Sequence, residues 1–271
     1  MKNKISEIRI LFLFFITTFI FSWLLWIPSI LNSNGIQVKE FLLFISMFAI
    51  YGPFFSSFLL TGIFYGKNGV KKLLKKGFRI KFNKNVLFFI FGLPLVITFL
   101  GFIFSLFINP NLYTKSQFLT NPLSIFPLFF IMIFTGGPLG EEFGWRGFAL
   151  EKLQTKFNSF NSSLILGLVH SFWHLPLFFI IGTTQFYIPV WEFVVLTTTT
   201  SFIYTWIYNN SDRSVLAVLL YHNMGNLAAW MFPYWQVSLG RYIVFFLNLF
   251  VVIYLLRVYG IKKMVKDDSK K

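Results

Sequence analysis

The chain has 271 residues, of which 56% are hydrophobic and only 12% charged, with a formal net charge of +15 and no cysteine. Soluble domains carry about 25% charged residues, so the composition excludes an ordinary soluble globule and a disordered chain. The lack of cysteine excludes disulfides, thiolate metal sites, catalytic thiols and lipidated cysteines. The basic residues form clusters between long apolar stretches, which favours a membrane protein over a nucleic-acid-binding protein.

The apolar stretches predict an all-α, polytopic membrane protein with a bundle of about eight transmembrane helices. A bilayer span needs roughly 20 apolar residues, and eight stretches meet or approach that length. The first stretch is too long for the apolar region of a signal peptide and has no small-residue cleavage site after it, so we expect it to remain as a helix. The expected spans are 10–31, 41–66, 86–109, 122–140, 162–181, 193–208, 214–232 and 242–259.

The basic residues divide unequally between the two faces of this bundle. Of the 24 Lys and Arg residues, all except Lys39, Lys115 and Arg241 lie on the face that carries both termini. The positive-inside rule therefore places the N- and C-termini in the cytoplasm. A composition rich in Phe, Lys, Ile and Asn is typical of an AT-rich genome, and we expect a multi-pass protein of a bacterial cytoplasmic membrane.

The loop 67–85 is the most basic part of the chain. Val70, Leu73, Leu74 and Phe78 share one helical face with lysines opposite, which predicts an amphipathic helix lying on anionic lipid. The alternative is a solvated loop that only sets the topology. The single integral membrane domain, 1–271, then has three parts: 1–120 with helices 1–3 and this loop, 121–232 with the candidate catalytic helices, and 233–271 with the last helix and a basic cytoplasmic tail.

A few ionisable side chains lie within the expected membrane region. Inserting such a group costs roughly 2.5 to 3.5 kcal/mol, so its presence indicates a function. All three histidines of the chain, His170, His174 and His222, fall within expected spans. Glu141 and Glu142 continue directly from the fourth span, and we expect them to lie near the histidines.

A spacing of four residues places three pairs of polar side chains on common helix faces. Because Arg146 can neutralise Glu142 in one pair, Glu141 is left as the less neutralised carboxylate. The alternative for Glu142 and Arg146 is a structural ion pair, and the alternative for His170 is a hydrogen-bonded histidine without a chemical role. The three pairs are His170 with His174, His222 with Asn226, and Glu142 with Arg146.

These residue types suit hydrolysis of an amide bond within the bilayer. A glutamate and a histidine on two facing helices can share a water molecule that the carboxylate deprotonates and the imidazole orients. His222 and Asn226 can donate hydrogen bonds to a developing oxyanion. Other hydrolase chemistries lack their motifs, since the chain has no Gly-x-Ser, no His-Glu-x-x-His and no two aspartates within spans.

Three motifs, in this order, resemble those of the CPBP family, the CAAX protease and bacteriocin-processing enzymes also called the ABI family. The run Glu-Glu-Phe-Gly-Trp-Arg from Glu141 to Arg146 resembles the Glu-Glu-x-x-x-Arg motif. His174 ends a segment that resembles Phe-x-x-x-His, and the run from His222 to Asn226 resembles His-x-x-x-Asn. The ordered trio is far more specific than any one of the motifs.

The resemblance implies an intramembrane endopeptidase similar to the type II CAAX prenyl endopeptidases, in a family that also serves bacteriocin self-immunity and peptide maturation. The chain departs from the family at His170, where Phe or another large apolar residue is usual; the histidine adds a candidate ligand or proton carrier. We expect a membrane-embedded peptide or protein as the substrate. By resemblance the catalytic residues are Glu141, His174, His222 and Asn226, and the supporting residues are Glu142, Arg146 and His170.

Two alternatives stay open at this point. In a zinc version of the site, Glu141, His174 and His222 would be the ligands and Glu142 the base. Asn226 is a poor zinc ligand but a good oxyanion donor, so we favour a site without a cofactor. The rival function, from another class, is a non-catalytic membrane immunity, chaperone or carrier protein that uses the same polar pocket.

Overall fold

The structure, a computed structural model, describes residues 6–80 and 82–265, and every regular element in these ranges is helical. The expected all-α polytopic fold is therefore confirmed. The helices, joined by short 3-10 and π turns, are α1 (Glu7–Ser33), α2 (Glu40–Ser46), α3 (Gly52–Lys76), α4 (Lys84–Leu87), α5 (Leu93–Ile108), α6 (Gln117–Thr120), α7 (Ile125–Thr135), α8 (Pro138–Gly144), α9 (Glu151–Gln154), α10 (Ser159–Trp173), α11 (Val190–Asn209), α12 (Val215–Met231) and α13 (Ser238–Tyr259).

The number of spans differs from the expected eight. Within the described ranges, five helical stretches are long and apolar enough to cross a membrane, or six if the bent pair α7–α8 counts as one. The expected sixth and seventh spans are present as α11 and α12, but α11 carries four consecutive threonines and α12 has only 17 residues. Both pack inside the bundle, where a helix need not present apolar side chains on every face. The five stretches are Glu7–Ser33, Glu40–Lys76, Lys84–Ile108, Ser159–Phe179 and Ser238–Tyr259.

The expected fourth span, 122–140, is wrong as a single helix. It breaks at Gly136 and Gly137, and the helical stretches on either side of the break are bent by 45°. Gly137 has a φ of 98°, a conformation that favours glycine, and Pro138 suits the first turn of a new helix because it needs no amide hydrogen there. The break places the N-terminus of α8 inside the bundle, with Glu141 in its first turn.

Helix α8 packs closely against the start of α3 and the segment that leads into it. A Cβ on Gly140 would come within 2.6 Å of the Ile50 carbonyl oxygen, and one on Gly144 within 2.5 Å of Pro53. Only glycine permits this approach. The π turn that follows, Trp145–Leu150, is buried at all six positions, so the segment that carries both glutamates lies in the core.

Helix α3 changes direction at Gly66, whose φ is 64°, and residues 67–76 continue as a helix. Leu73 is buried against the protein, whereas Phe78 is 74% exposed. Lys76 donates hydrogen bonds to the Gly147 carbonyl and to Glu151, which ties this segment to the core. Of the remaining basic residues expected on this face, Lys2, Lys4, Lys81 and the tail beyond residue 265 lie outside the described residues.

Other helix boundaries differ from the expected ones by a few residues. The expected span 162–181 begins three residues earlier and ends as α10 at Trp173, because Pro176 follows in a separate 3-10 turn, Leu175–Phe179. The last helix begins at Ser238 rather than at residue 242. The earlier start includes Arg241, which pairs with Glu192 of α11.

Candidate active site

Three helices bring the polar side chains of the expected membrane region together. Helix α8 carries Glu141 and Glu142, which are only 3% and 0% exposed. The end of α10 carries His170 and His174, and both are buried. A buried carboxylate is costly unless it is hydrogen-bonded or paired, so the partners of the two glutamates decide what each can do.

Glu141 belongs to a cluster with the two histidines of α10. Its Oε2 atom lies 2.7 Å from Nε2 of His170. Nδ1 of His174 lies 2.9 Å from the carbonyl oxygen of His170, and because a carbonyl only accepts, this nitrogen carries the proton. Nε2 of His174 is then an acceptor. One potential metal-ligand atom from each of Glu141, His170 and His174 lies within 4.8 Å of the other two, so a single water molecule or ion can contact all three residues.

Glu142 belongs to a second cluster. Its Oε1 atom accepts hydrogen bonds from Arg146, at 3.0 Å, and from Nδ1 of His222, at 2.8 Å. The guanidinium of Arg146 lies 3.8 Å from the centre of the Tyr204 ring. Glu142 is therefore neutralised by its neighbours and is poorly suited to act as a base. His222 has Nε2 left, which donates only when the ring carries both protons.

Asn226 lies one turn beyond His222 on α12 and contacts the helix break. Its Nδ2 donates to the carbonyl oxygen of Gly136, at 2.8 Å. An amide nitrogen has two hydrogens, so one remains for another acceptor. The contact fixes the Asn226 side chain beside the N-terminus of α8, where Glu141 lies.

A cavity of about 620 Å³ adjoins both clusters. Its inner wall includes Phe193, Tyr204, Gly136 and Asn226. The ring of Phe193 packs edge-on against His174, with 5.1 Å between ring centres. Glu141 and the three histidines are not among the lining residues, so they lie just behind this wall.

Two comparisons with known proteins show what this chain is similar to. Residues 122–228 match the family described as type II CAAX prenyl endopeptidase Rce1-like. CAAX prenyl protease 2 of Methanococcus maripaludis is 24% identical over 225 residues, which cover 79% of this chain and 82% of the relative. The chain is a CAAX-protease-like intramembrane peptidase. The resemblance expected from the three motifs is confirmed, and all four candidate catalytic residues of the peptidase lie within the matched range.

The residues of the peptidase that could bind a metal differ from the expected ligands. The zinc alternative predicted Glu141, His174 and His222 as ligands. Among the described residues, the group that could hold a metal is Glu141, His170 and His174. His222 is not in this group, and its Nδ1 lies 2.8 Å from Oε1 of Glu142 instead. Glu142 is also unsuited to the base role that the zinc alternative gave it, since Arg146 and His222 share its Oε1.

Three further residues shape the site of the peptidase and were not expected from the sequence. Phe193 and Tyr204 belong to α11, which carried no candidate residue, and their contacts depend on how α11 packs. For Gly137 the sequence does contain a usable signal, because the run Gly-Gly-Pro favours a break in a helix. A Cβ at Gly137 would collide with Oε1 of Glu141, so the glycine leaves room for the carboxylate.

Proposed function

We propose that the peptidase hydrolyses a peptide bond in a membrane-embedded peptide or small protein precursor, with Glu141 as the base that deprotonates the attacking water. The observation that carries this proposal is the buried group of Glu141, His170 and His174, whose potential ligand atoms all lie within 4.8 Å of one another. It unites a carboxylate that has no cationic partner on its own helix with an imidazole nitrogen that is free to accept. A general base of this kind must lie within one hydrogen bond of the water proton.

The proposed hydrolysis uses the polar groups around Glu141 in the following order. Glu141 takes a proton from water held by Nε2 of His174, and the hydroxide adds to the substrate carbonyl carbon. The second amide hydrogen of Asn226 and the doubly protonated ring of His222 donate to the oxyanion. Glu141 then passes its proton to the leaving nitrogen, the C–N bond breaks, and a carboxylic acid and an amine result; the acid then gives its proton to the amine or to water. His170 orients Glu141 throughout.

One carboxylate and two imidazoles also fit the donor set of a catalytic zinc site. Glu141, His170 and His174 would hold such an ion, which would polarise a bound water and the scissile carbonyl. We favour the metal-free version because the neighbouring Asn226 is a poor zinc ligand but a good oxyanion donor.

The cellular setting is part of the proposal. We propose a bacterial cytoplasmic membrane with both termini in the cytoplasm, and a role in bacteriocin self-immunity or peptide maturation. The exposed side chains of Leu74 and Phe78, beside the exposed Lys71, Lys72 and Lys75, support contact of this segment with anionic lipid.

The test compares membrane peptides from cells that express the wild type or Glu141→Gln. New peptide termini identified by mass spectrometry should appear with the wild type and disappear with the variant, while membrane insertion is unchanged. Glu40→Gln, at an exposed glutamate of α2, is the matched control and should keep full cleavage. Undiminished cleavage by Glu141→Gln would remove the base assignment. Immunity that survives in the double variant Glu141→Ala with His174→Ala would favour the non-catalytic alternative.

A further inference from the structure

The cavity beside the active site extends to one particular end of the bundle. Its lining there includes residues of three loops, represented by Lys115 before α6, Gln185 before α11 and Gln236 before α13, and this end is taken as its mouth. These loops lie at the opposite end of the bundle from the basic segment 67–76 and from Arg213, because the helices between them run the full depth. The cavity thus opens away from the basic face.

The cavity wall combines apolar side chains with hydrogen-bond acceptors at intervals. Thr98 and Thr200 donate their hydroxyl hydrogens to carbonyl oxygens of their own helices, and Asn248 donates its amide hydrogen in the same way. Their oxygen atoms are left as acceptors in a cavity that all three residues line. An extended polypeptide needs such partners within a membrane, because lipid offers none to its N–H groups. A purely apolar lipid chain does not.

The inner end of the cavity contacts the catalytic groups through three side chains. Phe193 packs on His174, Tyr204 on Arg146, and Asn226 contacts Gly136 while it lines the cavity itself. A substrate that fills the cavity therefore reaches the oxyanion donor Asn226 directly. Phe193 stands between it and His174, beside the proposed water site.

We propose that this cavity admits the substrate as a short extended polypeptide segment, entering from the face opposite the basic loops. The inference rests on the proposed peptidase mechanism for its chemistry and adds the direction of entry and the conformation of the substrate. The volume of 620 Å³ is within the range of about 300–1,000 Å³ that ligand sites occupy. The mouth offers amide groups and the ammonium of Lys115, which suit a peptide that emerges into water.

Gly225 gives a direct test of access. It lies on α12 in the cavity wall, and a Cβ built on it meets no atom within 4 Å. Because the chain has no cysteine, Gly225→Cys would carry a single thiol. Intact cells and inside-out vesicles are treated with a membrane-impermeant maleimide. The references are Gln185→Cys at the mouth and Lys72→Cys on the basic segment.

We expect Gly225→Cys to be labelled from the side that labels Gln185→Cys and to be unreactive from the other side. Labelling from the side of Lys72→Cys, or from neither side, would overturn the proposed entry. The readout does not need catalysis. If Glu141→Gln stays active while the labelling succeeds, the mechanism fails and the access route stands; the reverse pattern removes only the access route.

A size series at the same position tests occupancy by the substrate. Activity should fall as the side chain grows from Gly225→Ala through Gly225→Leu to Gly225→Phe, with a loss of at least about tenfold for Phe, because the added volume displaces substrate. Gly62→Phe is the matched control, since Gly62 is also helical and its Cβ would meet only Val70, at 3.8 Å. Wild-type activity in Gly225→Phe would show that the substrate does not use the cavity.

Discussion

Oε2 of Glu141 lies 2.7 Å from Nε2 of His170, and both side chains are buried. His170 is the position at which the chain departs from the Phe-x-x-x-His pattern. Its Nδ1 atom is buried and has no hydrogen-bond partner in the part of the chain that the structure describes. The hydrogen bond to Glu141 is therefore the one polar contact of this ring there, and it orients the carboxylate that we propose as the base.

The hydrogen bond between Glu141 and His170 predicts different effects on kcat for two substitutions of His170. His170→Phe restores the pattern of the family but removes the hydrogen bond, so we expect kcat to fall about tenfold, equivalent to ~1.4 kcal/mol, with little change in KM. His170→Gln places an amide near the position of Nε2 and should recover most of kcat. Steady-state kinetics on a cleaved peptide separate the two constants. Equal losses in both variants, together with a lowered melting temperature, would make His170 a packing residue only.

Asn226 and Asn223 form a matched pair on α12. Each donates an amide hydrogen to a main-chain carbonyl at 2.8 Å, Asn226 to Gly136 and Asn223 to Phe129. We expect Asn226→Ala to lower kcat by about 10² to 10³, the usual effect of losing an oxyanion donor. Asn223→Ala should instead lower stability by about 0.5–1.5 kcal/mol, because it removes one hydrogen bond that joins α12 to α7, and should spare kcat. Thermal unfolding in detergent and kinetics measure the two effects; similar kcat values in both variants would contradict the oxyanion role.

Alanine substitutions of Gly137 and Gly182 distinguish the effect of backbone strain from that of a steric clash with Glu141. Both have positive φ, 98° and 94° respectively, so alanine at either position costs about 1–3 kcal/mol. A Cβ at Gly182 meets nothing within 4 Å, whereas one at Gly137 collides with Glu141. We expect both variants to be destabilised and only Gly137→Ala to lose most of its activity. An active Gly137→Ala enzyme would mean that the carboxylate can move without loss of function.

The ion pair between Arg146 and Glu142 is buried, with side-chain exposures of 1% and 0%. Removing one partner leaves a buried charge, so Arg146→Met should cost about 3–5 kcal/mol. The double variant Arg146→Met with Glu142→Gln should recover part of this loss. The exposed pair of Arg79 and Asp212 is the control, where Arg79→Met should change stability by about 0–1 kcal/mol. Chemical unfolding in detergent measures all four proteins, and an Arg146→Met variant as stable as Arg79→Met would refute the structural importance of the pair.

Removal of any bound metal tests whether Glu141, His170 and His174 hold a metal that the reaction needs. We expect the purified peptidase to keep its activity after exhaustive chelation, with no stoichiometric zinc detected by elemental mass spectrometry. The same samples after zinc addition serve as the comparison. Activity that disappears on chelation and returns with one equivalent of zinc would replace the metal-free mechanism.

The sequence by itself predicted the helical membrane fold, the resemblance to CAAX proteases and a set of candidate site residues. Long apolar stretches have few alternatives in a membrane, because a helix satisfies its own backbone hydrogen bonds. The spacing of four between Glu142 and Arg146 predicted a pair on one helix face, and the structure shows that pair, because contacts within a helix depend only on its geometry. The run Gly-Gly-Pro carried the signal for the break before Glu141.

Only the tertiary structure decided which carboxylate meets which histidine. Glu141 contacts His170, and Glu142 contacts His222, although the two glutamates are adjacent in sequence. Adjacent residues on a helix point about 100° apart, so their partners depend on the rotation of α8 and on the helices packed around it. The same packing brings Phe193 and Tyr204 to the cavity wall. Contacts between helices arise from packing over the whole bundle, and no local pattern in the chain records them.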